Sequence, residues 1–166
     1  VMTIHAQYLY TMPVNALFGL LTDPNFMENK YLAAGSRKLH FSQFEQREGK
    51  HLLRWSRELE ADVPMMVRSL FDIWNRFDES MDWRLDGDTG EGIYSAKIKG
   101  GLVELKGLFY IRPHPQGCVE SVEMQVKVNV PLMRDKIASL AEKGIQTHLD
   151  EEYTFTQNWV RQHATV

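Results

Sequence analysis

Near the end of the chain, His148 and Glu152 stand four residues apart. On a helix that spacing puts both on one face, where imidazole and carboxylate can pair and each favours the charged form of the other. Held in a cleft, such a couple can act as general acid or base; at the rim of an apolar interface the two simply satisfy one another. Two more charged candidates interrupt strand-like runs. Arg57 shares a face with Leu53, Trp55 and Leu59, and Glu79, with Asn75, shares one with Phe77, Met81 and Trp83. A buried charge needs a partner or water. An Arg57–Glu79 couple across strands would therefore line a cavity, or either residue lies where its strand runs past the sheet edge into solvent. No residue is assigned a catalytic role on these patterns.

Other chemistries find little support. The six histidines lie far apart and none has the two-ligand spacing of a helical or hairpin metal site, so no metal is expected. Cys118 is the only cysteine, which excludes an intramolecular disulfide and a paired-thiolate zinc site. It reads as a small apolar residue. There is no Gly-x-Ser-x-Gly elbow, no phosphate-cradling glycine loop and no dinucleotide fingerprint, so no cofactor is expected. A net charge of −3, with Lys and Arg scattered, argues against nucleic acid and anionic membranes as partners. No apolar run approaches the roughly 20 residues of a membrane span, and the start lacks a signal-peptide pattern. Those features predict a cytoplasmic protein without integral membrane contact. Met2 is the expected natural start. With 166 residues, 43% hydrophobic and 25% charged, one domain over 2–163 is expected, and a homodimer is left open.

The elements that must position these residues follow from periodicity. Residues 3–11 alternate as a strand, with Ile4, Ala6, Tyr8 and Tyr10 on one side. Pro13 opens a short helix carrying Leu17, Phe18, Leu20 and Leu21. Asp23 and Pro24 supply an N-cap and first-turn proline for a second helix, which runs through Phe26, Met27 and Tyr31 to about Ala34, with Gly35 free to take positive φ at its end. Strands are predicted over 37–48 and 51–60, joined by a tight turn at Glu48-Gly49-Lys50. Pro64 precedes a connector, Met65-Met66-Val67 with Leu70, placed near the cavity mouth. Residues 71–85 then alternate, with Phe71, Ile73, Asn75, Phe77, Glu79, Met81, Trp83 and Leu85 on one face. Strands near 91–99, 102–113 and 118–130 complete a meander whose inner faces hold Val103, Leu105, Gly107, Phe109 and Ile111, then Val122, Met124, Val126, Val128 and Val130. Residues 132–163 read as one long amphipathic helix. Its apolar face collects Ile137, Leu140, Ala141, Gly144, Ile145, His148, Glu152, Phe155 and Trp159.

The first strand leading to Met12-Pro13-Val14, then Leu20-Leu21-Thr22-Asp23-Pro24, Ala61-Asp62-Val63-Pro64 and Lys127-Val128-Asn129-Val130-Pro131, carry a resemblance in their order and spacing. The chain resembles the START/Bet v 1-like (SRPBCC) superfamily, most closely the bacterial DUF2505 family of unknown function, over nearly its whole length. The resemblance implies an α+β helix-grip fold: a curved antiparallel sheet of about seven strands, two short helices after strand one, and a long C-terminal helix across the sheet. It further implies a cavity between sheet and helix for an apolar or amphipathic small molecule. The expected lining is Trp55, Arg57, Phe77, Glu79, Met81, Phe109, Met124, Gly144, His148, Glu152 and Phe155. Aromatic and methionine side chains there also read as plain core, and Gly144 as either room for a ligand or an ordinary packing contact.

Three functions remain open on sequence alone. The first is a non-enzymatic binding domain for a lipid or aromatic metabolite. The second is a cyclase- or dehydratase-like acid–base enzyme using His148, Glu152 or Glu79. The third is an interaction module that presents Met65, Met66, Leu70 and Phe71 to a protein partner.

Overall fold

The computed structural model describes residues 2–61 and 63–163; Val1 and Asp62, the latter one of the residues carrying the family resemblance, lie outside them. Strand β1 (Met2–Tyr10) is followed by α1 (Val14–Leu21) and α2 (Pro24–Ala33), then by β2 (Arg37–Arg47) and β3 (Lys50–Glu60). A 3-10 helix (Met65–Leu70) leads to β4 (Trp74–Asp86), β5 (Thr89–Ile98), β6 (Val103–His114) and β7 (Gly117–Val128). A 3-10 turn at Pro131–Met133 then starts α3 (Arg134–His163). All seven strands form one antiparallel sheet in the order β1-β7-β6-β5-β4-β3-β2. Six strands thus follow one another as a meander, and β1 closes against the last. The two short helices carry the chain from one sheet edge, β1, to the other, β2. The sheet curves around α3, which packs on β1, β7 and α2. This is the helix-grip fold.

Local chemistry accounts for the junctions. The Asp23 carboxylate accepts the Asn25 backbone N–H at 3.0 Å and Pro24 occupies the first turn, which fixes the start of α2. Gly35, at φ 89°, ends it. In the β2–β3 hairpin both Glu48 and Gly49 take positive φ, 46° and 77°, the backbone of a type I′ turn. Gly117 has no substitute at the start of β7: at φ 147°, a Cβ there would collide with the Tyr10 carbonyl of β1.

The predicted strand over 71–85 is shorter than its alternation suggests. The chain bends at Phe71 and Ile73, with Ile73 exposed, where the Asn75 side chain both accepts the Asp72 N–H at 3.1 Å and donates to the Asp72 carbonyl at 2.8 Å. Asn75 is therefore a buried turn-closer. In the preceding 3-10 helix Val67 is fully buried while Met65 and Met66 are exposed.

The long helix also differs in its facing. Its most buried residues are Ile137, Ala138, Leu149 and Thr156, about one residue further round than the face centred on Ile137, His148 and Phe155. The cause is that α3 serves two surfaces. Leu149, Tyr153 and Thr156 turn to the sheet, while Phe155 and Trp159 pack on Phe26 of α2 with ring centroids 5.8 and 5.4 Å away. A single averaged stripe blends the two.

Candidate functional site

Between the sheet and α3 lies a cavity of about 120 Å³. Alternation along the strands supplies its walls. Trp55 and Arg57 come from β3, Phe77, Glu79, Met81 and Trp83 from β4, Tyr94 from β5, Leu105 and Phe109 from β6, and Glu120 and Met124 from β7. Tyr8 and Tyr10 of β1, Met27, Lys30 and Tyr31 of α2, and Ile145, His148, Leu149, Glu152, Tyr153 and Thr156 of α3 close the rest. Gly92 of β5 is paired with Trp83 across the strands, and a Cβ on it would lie 2.8 Å from the indole, so glycine lets that ring lie flat against the sheet.

Of the residues proposed from sequence, Trp55, Arg57, Phe77, Glu79, Met81, Phe109, Met124, His148 and Glu152 border this cavity. Gly144 and Phe155 are not among its lining residues; Phe155 faces α2 instead. The His148–Glu152 couple does not form. His148 is nearly half exposed, and its Nδ1 lies 3.9 Å from Glu151 instead, because the buried face has rotated past it. The connector at Met65–Leu70, expected near the cavity mouth, contributes no lining residue.

Two buried polar groupings of opposite character share the wall. The first is the Arg57–Glu79 pair. Residue 57 of β3 lies opposite Phe77, so Glu79, two positions on, is a diagonal neighbour on the same face. The guanidinium meets the carboxylate with both arms, Nε donating to Oε2 at 2.7 Å and Nη2 to Oε1 at 3.0 Å. Its Nη1 donates to the Ser36 hydroxyl at 2.9 Å, and the Tyr94 hydroxyl donates to Glu79 Oε1 at 2.6 Å. The Tyr31 ring lies 4.0 Å beneath the guanidinium. Burial alone would push Arg57 down; the adjoining carboxylate more than reverses this and holds it above its ordinary value. Burial raises the Tyr31 and Tyr94 phenols well above theirs, and the negative charge on Glu79 adds to it. The cluster is closed around the carboxylate, which receives three donors from Arg57 and Tyr94.

The second grouping is open. Glu120 of β7 is 6% exposed, and among the described residues no side chain donates to its carboxylate. Burial raises it to about 7; Lys30 opposes this rise and Glu152 adds to it. Lys30, itself 8% exposed, makes no ion pair among the described residues; its ammonium lies 5.0 Å from the centroid of Tyr31 and 5.7 Å from that of Phe26. The Tyr8 hydroxyl donates to Asp150 at 2.8 Å, and that of Tyr153 to the Leu9 carbonyl at 2.7 Å. Burial, and then Glu120 and Glu152, raise the Tyr10 phenol above its usual range. A carboxyl balanced near neutrality in a cavity can accept a hydrogen bond, take up a cation or exchange a proton.

Glu120 escaped the sequence reading although its signal was there. It has the parity of Val122, Met124, Val126 and Val128, so the inner face continues one step before Val122. Tyr94 likewise shares the parity of Gly92 and Ala96 in β5. Lys30 and Ser36 carried no comparable signal. Lys30 sits in a helix with no clear apolar stripe, and Ser36 sits in the loop after it.

A family model described as a protein of unknown function, DUF2505, matches residues 6–160. No curated protein sequence matches the chain. Among solved structures, the Zhui aromatase/cyclase of Streptomyces sp. R1128 superposes with a TM-score of 0.65 at 10% identity, over 99% of this chain and 96% of its own. Human STARD10 gives 0.64 at 11% identity, over 98% of this chain and 67% of its own. The protein TTHA0849 of Thermus thermophilus gives 0.60 at 12%, over 93% and 96%. At such identities the likeness is one of fold. Among the described residues no helix is long and apolar enough to cross a membrane.

Proposed function

The chain belongs to the DUF2505 family, and we propose that it binds a hydrophobic or amphipathic small molecule in the cavity between its sheet and α3. The observation that carries this reading is a cavity of about 120 Å³ walled largely by aromatic and aliphatic side chains, with the buried Glu120 carboxyl left unanswered by side-chain donors among the described residues. An apolar cavity of roughly 150 Å³ takes up benzene, so this slightly smaller one holds about one ring once its walls give a little. Drug-sized ligands occupy roughly 300–1,000 Å³. The volume therefore favours a compact aromatic metabolite, and a long-chain lipid would enter only if flexible walls such as Met81 and Met124 give way. Titration with toluene, followed by amide chemical shifts, tests the reading. Saturable shifts at Met124, Phe109 and Leu149 are expected, and those at Phe109 and Leu149 should be lost in Met124→Trp, with amide-shift dispersion used to check that the variant's core is intact. Failure of toluene, indole and a fatty acid alike to bind would overturn it.

A second reading, acid–base catalysis on a bound carbonyl compound, is favoured by Glu120, whose carboxyl sits near neutrality at the cavity wall. Glu79 suits that role poorly, being held by three donors, and His148 stands half in solvent. Exchange of the α-hydrogens of acetophenone with heavy water, accelerated by the protein and abolished in Glu120→Gln, is the expected signature. Equal exchange rates with and without protein would dismiss it.

A further inference from the structure

Polar groups from four elements surround Glu120. From α2 comes Lys30, from α3 Glu152, from β1 the phenols of Tyr8 and Tyr10, and from its own strand Cys118. Burial, then Glu120, raises the Cys118 thiol to about 11, so it stays neutral, as do the two phenols, which are also raised. Two carboxyls therefore face one ammonium, and that ammonium is already seated against the Tyr31 and Phe26 rings. With Glu120 ionised, the pole carries an excess of negative charge and an acceptor with no donor.

Resting on the binding reading above, we propose that Glu120 anchors the ligand's polar group, and that this group is a primary ammonium carried on a body about the size of one aromatic ring. Geometry supports each part. Glu79 receives three hydrogen bonds from the protein, whereas Glu120, equally buried, receives none from the described side chains. An ammonium there would supply the missing donors and balance the charge. The aromatic side chains of Tyr10 and Phe109 in the same wall suit a cation and an aromatic body together. A carboxylate head would instead meet Glu120 and Glu152, incurring repulsion and desolvation at once. Since burial holds Glu120 near neutrality, an ammonium must displace its proton to bind at lower pH, so affinity rises as the carboxyl ionises.

Calorimetric titration with benzylamine, benzyl alcohol, toluene and benzoate at pH 6 and pH 8 tests the proposal. Benzylamine should bind best and benzoate worst. Benzylamine should bind about tenfold tighter at pH 8 than at pH 6, as expected for a site titrating near 7. In Glu120→Gln, benzylamine should lose about tenfold at pH 8 and its pH dependence, while toluene changes less than about twofold. The wild-type protein provides an independent reading: heats measured at pH 7 in buffers of different ionisation enthalpy should show about half a proton released per benzylamine bound, as expected for a site titrating near 7, and none for toluene. Saturable toluene binding without preference for benzylamine, or without proton release, would overturn the anchor and leave the cavity reading standing. Binding of none of the four would overturn both.

Discussion

The cavity wall holds two buried carboxylates in opposite states, and the contrast between them separates structure from function in this fold. Glu79 is held by both arms of Arg57 and by the Tyr94 hydroxyl, with Ser36 completing the guanidinium. Glu120 sits on the same inner sheet face, as deeply buried, with no donor among the described side chains. Desolvation acts on both, and only the first has partners to offset it. A charge that the fold satisfies completely is tied up in the architecture. A charge that it leaves unsatisfied is a standing cost, and such a cost persists where a ligand or a proton can relieve it.

The sharpest way to break the comparison is to remove one member of the closed pair. Arg57→Leu or Glu79→Leu strands a buried charge and should cost about 3–5 kcal/mol in urea denaturation. The double variant should cost clearly less than the sum, because the apolar pair strands nothing. Additive losses would show that the two residues do not act as a unit.

At the open end the effect is set by pH. The Glu120 carboxyl is raised by burial from 4.5 to about 7, so between those values the folded chain binds more protons than the unfolded one. Stability from this group is accordingly present at low pH and falls as pH rises through that window, by up to about 3 kcal/mol. Urea midpoints measured at pH 5 and pH 8 should therefore drop in the wild type and drop less in Glu120→Gln. Identical slopes would mean that Glu120 is solvated as well when folded as when unfolded.

Tyr94→Phe sharpens the contrast more gently. It removes one of three donors to Glu79, and the loss should be about 1.5–3 kcal/mol, as for hydrogen bonds to buried charges. Tyr10→Phe, beside the open end, should cost less than that in the same assay. His148→Ala is expected to have the smallest effect, below about 0.5 kcal/mol, since its 3.9 Å contact with Glu151 is solvent-exposed. A loss of several kcal/mol there would restore the helical couple suggested by the spacing.

Much of this arrangement was legible from periodicity alone. The parity of Trp55, Arg57, Phe77, Glu79 and Met81 placed them on one sheet face, but left open whether the two opposite charges pair there or run past the sheet edge into solvent. Parity also reached Glu120, although the apolar run from Val122 onward concealed it. Helical spacing was a weaker guide. His148 and Glu152 are correctly a turn apart, yet which of them turns inward depends on how α3 is shared between the sheet and Phe26 of α2. At 71–73, alternation was overridden by the Asn75 side chain, which bends the chain before the strand begins.

By itself, the sequence determined the order of elements, most of the inner faces of β1, β3, β4, β6 and β7 and the residues that start and stop the short helices. These depend on nearest-neighbour stereochemistry and on the period of apolar residues. Only the tertiary structure decided which buried polar groups find partners. Ser36 reaches Arg57 from 21 residues away, Tyr94 reaches Glu79 from 15 away, and no side chain among those described donates to Glu120. Satisfaction of a hydrogen bond is a property of the place where distant segments meet, and no local pattern encodes that place.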